Sequence, residues 1–472
     1  MTRFFTASTI SLLCAVSLSA QSRRDPDWTR LEPETLQHFQ AVLRLDTSNP
    51  PGNETKVVDY LVGVLTREGI PFQTFALDPT RANLVARLKG NGRKRPILIM
   101  GHTDVVTVDP AKWTFLPFSA TRDGGYIYAR GSLDDKPHVV AGLMVLLEIK
   151  RLGIPLDRDV IFLAEAGEEG TTRVGIDFMA DQHLPEIDAE YCIAEGGGVS
   201  RVNGKIQYAE VGTTEKVART IELTARGPAG HGSVPTASNA VARLATAVTA
   251  VTAWQPPIHL NETTRAYFDR LASISSREDA ARYRTLLGND HAQIEDVAKY
   301  LRDHTPYQAA LLRTTASPTM LRGGIRFNVI PSEATATFDV RMLPDENEAE
   351  IVTAIQKVVN DPAVEVKIAA RDGKPRPPGI SRIDTDAFRA IESAVAQNYD
   401  TVTVPAMSTG ATDKAQLRAK GIQCYGTGAA TDDEDDAKGF GAHSDQERIL
   451  ESDLHRFVRF TWDMVMNLAR AR

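Results

Sequence analysis

The chain has 472 residues, of which 42% are hydrophobic and 24% charged, with a net charge of −7. That length exceeds what one hydrophobic core usually organises, so two structural units are expected, and the composition excludes a disordered or repetitive chain. The acidic balance, with no compensating Lys/Arg cluster, gives no electrostatic footprint for nucleic acid.

Residues 1–20 read as a signal peptide: Arg3 is followed by an uncharged stretch, Phe4 to Ala20, that ends in Ser17, Ser19 and Ala20. This predicts an exported protein, periplasmic or secreted. No later stretch approaches the ~20 apolar residues of a membrane span, so no membrane contact is expected after cleavage. Cys14 leaves with the signal, while Cys192 and Cys424 sit in apolar, strand-like runs. Two buried thiols are expected there, with a disulfide as the alternative.

Apolar spacing predicts a helix from Leu31, a turn at Asn49-Pro50-Pro51-Gly52, and a second helix through Val57, Leu61 and Leu65 to Gly69. Strands follow at Asn83 to Leu88 and Ile97 to Met100, and the Gly90-Asn91-Gly92 turn between them predicts a hairpin. Val139 to Lys150 is a strongly apolar helix stopped at Gly153. Val160 to Leu163 and Tyr191 to Ala194 are short continuous apolar runs, as in strands of an α/β sheet buried on both faces. After Gly212 the pattern changes to alternation, in Lys216 to Gly227 and in Ala334 to Met342, each followed by a helix (Asn239 to Trp254, Asn347 to Val359). With a strand at Val364 to Ala370 this makes a βαββαβ-like unit, interrupted by a polar, helical insertion near Pro256 to Arg313. The Pro-rich stretch from Lys374 to Gly379 marks the return to the first unit, which ends in a helix, the Cys424 strand, a loop and a helix from Asp453 to Ala469.

Chemistry-bearing residues recur at strand ends, where α/β folds place ligands. His102 follows the strand Ile97 to Met100, with Asp104 two residues on. Either the histidine binds a metal while Asp104 holds its other nitrogen, or it is a surface residue beside an N-capping Asp. Asp134 and Asp135 precede the apolar helix, as bridging carboxylates or as helix-start residues. Glu168 and Glu169 follow the strand Val160 to Leu163, flanked by Gly167 and Gly170 that let a loop aim both into one cleft. Glu195 follows Tyr191 to Ala194, and His443 lies in a late glycine-rich loop. The acidic run Asp432 to Asp436 beside it reads as a solvated loop. Two histidines and three carboxylates suit a pair of zinc ions, leaving one unligated Glu as base; the same donors accept Co2+ or Mn2+.

The order His-x-Asp, Asp-Asp-Lys, Glu-Glu, Glu-Gly and Gly-Ala-His resembles the aminoacylase, carboxypeptidase G and desuccinylase family of zinc metallopeptidases. The segments Gly227 to Ser233 and Asn328-Val329-Ile330-Pro331 resemble that family's lid. The resemblance implies an α/β fold: a mixed-sheet zinc-peptidase catalytic domain in residues 25–212 and 374–472, with an inserted α+β (βαββαβ) lid or dimerisation domain in 213–373. It further implies that His102, Asp134 and Glu195 hold one Zn2+ and Asp134, Glu169 and His443 the other, with Glu168 as general base and Asp104 orienting His102. His231 resembles the lid histidine that stabilises an oxyanion, often from a neighbouring subunit. Asn328 and Arg341 resemble groups that hold a substrate carboxylate. Pro137 stands where the family often has Gly, and Ala166-Gly167 precede the acid pair. With the long insertion after Pro256, these departures resemble the carboxypeptidase-S-like or N-acyl-amino-acid hydrolase branch. The implied activity is hydrolysis of a peptide or N-acyl-amino-acid amide bond beside a free carboxylate. Two alternatives stand beside it: a metal-independent hydrolase using paired carboxylates, and an exported peptide-binding protein on the same scaffold.

Overall fold

The computed structural model describes residues 25–370 and 374–471; the expected signal peptide lies outside them. A ten-stranded mixed sheet forms the frame. Its hydrogen-bonded order is Phe72–Ala76, Ala82–Leu88, Val160–Glu165, Ile97–His102, Tyr191–Ala194, Gln423–Gly426, Lys205–Glu215, Gly198–Val202 and Ala430–Asp432, with Thr403–Ser408 also paired to Lys205–Glu215. Val160–Glu165, Ile97–His102 and Tyr191–Ala194 run parallel and adjacent, so their carboxyl ends share one rim. The helix Lys136–Leu152, apolar all round, is buried against this sheet together with Trp28–Leu43, Asp386–Tyr399 and Glu451–Ala469. Gly153 caps it in the left-handed conformation at φ 58°.

The expected hairpin between Ala82–Leu88 and Ile97–His102 does not form. Val160–Glu165 runs between them, antiparallel to the first and parallel to the second. The reason is burial: the run from Ile97 to Met100 is apolar on both faces and belongs in the sheet interior, between two other apolar strands. The hairpin partner of Ala82–Leu88 is instead Phe72–Ala76, whose exposed positions suit an edge.

A second sheet has four antiparallel strands in the order Thr315–Gly323, Glu333–Met342, Val217–Arg226, Val364–Ile368. Helices Ala240–Ala253 and Glu348–Val359 pack on it around Leu223, Phe338, Val340, Leu244 and Ile355. The strict alternation of buried and half-buried positions in Glu333–Met342 is what a sheet covered on one face requires. The insertion is helical, in Glu262–Ile274, Arg277–Leu286, His291–His304 and Pro306–Ala310. It docks on the large sheet rather than the small one: Tyr267, Phe268 and Leu271 share a core with Val404, Ala406 and Met407. Buried Lys216 ties the junction, donating to the carbonyls of Ala310 and Arg313 (both 2.8 Å) and to Thr315 Oγ1 (3.2 Å).

The acidic run departs from the solvated-loop expectation. Asp433–Lys438 is a short helix; Asp432 pairs with Arg201 and Asp435 with Arg448, because these arginines on neighbouring strands need anions. Cys192 and Cys424 are free and buried, directly opposite each other on paired strands. Among the described residues no helix is long and apolar enough to cross a membrane.

Candidate metal centre and active site

Three strand ends and two loops deliver the five expected ligands to one place. His102 ends the strand Ile97–His102, Glu169 lies just beyond Val160–Glu165, and Glu195 follows Tyr191–Ala194 directly. Asp134 lies in the turn before the helix Lys136–Leu152, and His443 comes from the loop before Arg448–Leu450. Two groups of three result, His102 with Asp134 and Glu195, and Asp134 with Glu169 and His443, each with donor atoms within 4.8 Å of one another. Asp134 belongs to both. His102 Nε2 lies 2.9 Å from Asp134 Oδ1, and His443 Nε2 lies 3.0 Å from Asp134 Oδ2 and 2.9 Å from Glu169 Oε1. His443 holds a left-handed backbone at φ 62°, an uncommon conformation for a residue other than glycine that recurs at functional sites.

The electrostatics call for positive charge at these points. Burial opposes protonation of His102, but the carboxylates of Asp104 and Asp134 outweigh it and hold the imidazole well above its ordinary value. Hydrogen bonds to Asp134 and Glu169 push His443 up to about 10. Burial pushes Glu195 up to about 8, and the Asp134 charge adds to it. The two histidines are thus held protonated by the carboxylates that flank them, whereas Glu195 is raised chiefly by its burial. Imidazole nitrogens and carboxylate oxygens in two triads sharing one bridging carboxylate fit a pair of divalent ions such as Zn2+.

Two buried carboxylates outside the ligand set hold the ligand loops by their backbone. Asp104 accepts from the N–H groups of Gly167 (3.0 Å), Glu168 (3.2 Å) and Glu169 (3.1 Å), and from Asn49 Nδ2 (2.8 Å). The carbonyl of Asp104, rather than its carboxylate, takes the His102 Nδ1 contact at 3.0 Å; the carboxylate oxygen is 3.6 Å away. Glu447 does the same for the other loop, accepting from Gly131 (3.1 Å), Leu133 (2.7 Å) and Asp134 (3.2 Å) N–H and from Arg130 Nη1 (2.6 Å). Asp135 belongs to neither triad; it pairs with His138 and accepts from the His102 N–H.

Glu168 stands beside Glu169, and its Oε1 accepts from Arg376 Nη2 at 2.5 Å. Burial drives its carboxyl well above the ordinary range; Arg376 opposes this, while Glu195 and Asp413 reinforce it. His231, Asn328 and Arg341 lie apart, on the smaller sheet and its flanking turn. His231 is exposed, in the two-residue strand Gly230–His231 paired with Val329–Ile330, and contacts Ser233 Oγ at 2.7 Å. Asn328 is exposed beside it. Arg341 binds Asp339 and reaches the Thr409 carbonyl at 3.4 Å. Among the described residues no hydrogen bond or ion pair joins these three to the five ligands. The sequence reading missed Glu447, Arg376 and Asp413. Glu447 carries one faint signal, an acid just past the Gly-Ala-His loop; the other two carry none in their local spacing.

A cavity of about 370 Å³ opens beside the centre, lined by Asp134, Glu195, Gly196 and Thr427 and bounded by Asp433 and Arg448. The family described as peptidase family M20/M25/M40 matches residues 98–467, a span that contains all five ligands. The chain belongs to this family. It is 31% identical to the "Probable carboxypeptidase S-like 2" of Dictyostelium discoideum over 68% of this chain and 62% of that one. It is 29% identical to an N-fatty-acyl-amino acid synthase/hydrolase of Xenopus tropicalis over 58% of this chain and 53% of that one. A probable succinyl-diaminopimelate desuccinylase of Staphylococcus aureus is also 29% identical, over 70% of this chain and 74% of the relative. The chain therefore spans only about half to three-quarters of these relatives. In structure it is similar to an M20 family metallo-carboxypeptidase from Sulfolobus solfataricus, with TM-score 0.68 and 19% identity over 92% of this chain and 98% of that one. Human carnosine dipeptidase 1 gives TM-score 0.62 and 15% identity over 93% and 97%. The mixed α/β fold is that of these metallopeptidases.

Proposed function

We propose that the protein is a di-zinc amidohydrolase that cleaves a peptide or N-acyl-amino-acid bond beside a free carboxylate. The observation that carries this reading is the convergence of two histidine nitrogens on the two oxygens of Asp134, each completed by a further carboxylate. His102, Asp134 and Glu195 would hold one ion, and Asp134, Glu169 and His443 the other. Bound there, the pair would supply a water of lowered pKa and a Lewis acid for the scissile carbonyl. Glu168, next in sequence to the ligand Glu169 and outside both triads, takes the proton of the attacking water and returns it to the leaving amine. No Ser or Cys nucleophile is needed.

The residues 213–373 serve as the lid in this reading. His231 stabilises the oxyanion and Asn328 and Arg341 hold the substrate carboxylate, once lid movement or a second copy of the chain brings them to the centre. The exposed edge strand Thr315–Gly323, with Met320, Leu321 and the neighbouring Phe327 outward, supports a homodimer formed through this sheet. The relatives named for carboxypeptidase and acyl-amino-acid hydrolase activity support the substrate class. Export to the periplasm or medium is part of the same proposal, and N-terminal sequencing of the mature protein tests it. Activity over a panel of dipeptides and N-acyl-amino acids, before and after chelation, tests the hydrolysis. Loss on chelation supports the reading, and metal-independent turnover refutes it. Substrate binding without product formation favours the peptide-binding alternative.

A further inference from the structure

Arg376 lies in the stretch 374–379 that carries the chain back from the four-stranded sheet to the large one. Its Nη2 donates to Glu168 Oε1 at 2.5 Å and to Asp413 Oδ1 at 3.0 Å, while Nη1 donates to the Ala411 carbonyl at 3.0 Å. A fourth, long contact runs from Nη2 to the Glu168 carbonyl at 3.4 Å. One guanidinium thus joins the Glu168 loop to the segment 411–413. It is the only cation in an ion pair with Glu168 or Asp413 among the described residues. The acids around it are otherwise poorly compensated, since Asp413 Oδ2 and Glu165 Oε2 are buried without a hydrogen-bond partner.

A glutamate side chain has three rotatable bonds, and proton transfer demands a fixed direction within a fraction of an ångström. A charge-assisted hydrogen bond to one carboxylate oxygen supplies that constraint and leaves the other oxygen free. Glu168 Oε2 has no hydrogen-bond partner among the described residues. We propose that Arg376 is the positioning residue of Glu168: with Asp413 as its anchor, the guanidinium fixes Oε1 so that Oε2 faces the reacting water. Nη1 and Nη2 of Arg376 each donate to protein acceptors, while its Nε is buried without a partner; a role in substrate binding would therefore show as a change in KM. The role rests on the reading of Glu168 as general base. It also gives the connector between the two sheets a direct hold on that base.

The test uses the full, metal-loaded chain and four variants: Arg376→Ala, Arg376→Lys, Asp413→Asn and Glu168→Gln. Steady-state kinetics and metal content are measured for each, with and without a low, non-denaturing concentration of guanidinium ion. Arg376→Ala keeps its metal and its KM and loses on the order of 10²-fold in kcat. Arg376→Lys and Asp413→Asn lose less, and free guanidinium restores kcat to Arg376→Ala but not to Glu168→Gln. A rise in KM at constant kcat, or unchanged kinetics, in the Arg376 variants overturns the positioning role while Glu168→Gln still tests the base. Should Arg376→Ala fail to fold, unchanged kcat in both Arg376→Lys and Asp413→Asn overturns the role equally. An active Glu168→Gln refutes the base reading itself.

Discussion

Asp104 donates nothing to either ligand triad, yet three backbone N–H groups of the Glu168–Glu169 loop end on its carboxylate. Removing the acceptor orphans buried donors, each at a cost of about 1–3 kcal/mol. Asp104→Ala is therefore expected to lower Tm by several degrees and to abolish activity, while Asp104→Asn, which keeps one acceptor oxygen, falls between. Thermal unfolding with activity assays checks both. Glu168→Gln should fold, retain its metal and lose about 10²–10⁴-fold in kcat, the range for a lost general base. His102, Glu169 and Glu195 were legible because they follow apolar runs and Asp134 because it precedes an apolar helix, positions that a sheet's carboxyl edge gathers, whereas His443 was marked only by its glycine-rich loop. Glu447, Arg376 and Asp413 were not legible. Glu447 and Arg376 meet their partners Leu133 and Glu168 more than 200 residues away, Asp413 meets Arg376 across 37 residues, and no local periodicity marks such hydrogen bonds.

The element that delivers Glu195 depends on close backbone crossings. A Cβ on Gly212 would meet the Gly196 carbonyl at 2.1 Å, and one on Gly197 would meet the Gly426 carbonyl at 2.4 Å. Backbone atoms cannot yield as a flexible side chain can. Gly212→Ala is expected to displace the turn after Tyr191–Ala194, lowering metal affinity in a chelator competition as well as Tm. The strands on either side read correctly from their apolar runs, whereas strand neighbours did not: a Gly-Asn-Gly turn signals a reversal but not which strand the reversed chain pairs with. Lys216, at the start of Val217–Arg226, offers a test of the junction. Burial lowers its ammonium to about 7 from 10.5, against a smaller opposing pull from Glu346. Between those values the unfolded chain binds a proton that the folded chain lacks. Stability from this group therefore rises with pH from about 7 to 10.5 and is lowest, and constant, below 7. Lys216→Met should flatten that slope in Tm measured across the same window.

At the scale of the whole molecule, the change from continuous apolar runs to alternating strands after Gly212 was enough to read a second sheet, and the helical insertion was visible as a polar interruption. Where that insertion docks was hidden, because Tyr267, Phe268 and Leu271 look like any amphipathic stripe and their partners come from Thr403–Ser408, more than 130 residues on. The smaller sheet's outer strand also makes a prediction about assembly. The homodimer proposed through this strand predicts a dimeric mass in sedimentation that Leu321→Glu on Thr315–Gly323 lowers to that of a monomer; a monomeric parent or an unchanged mass in the variant contradicts it. The proposed hydrolysis depends on Asp134 being shared by two cations. Hydrolysis of an N-acyl-amino acid by exhaustively chelated protein, titrated back with Zn2+, tests this most directly. No turnover without metal and full recovery at two equivalents per chain are expected, whereas undiminished hydrolysis by the metal-free protein overturns the two-ion reading.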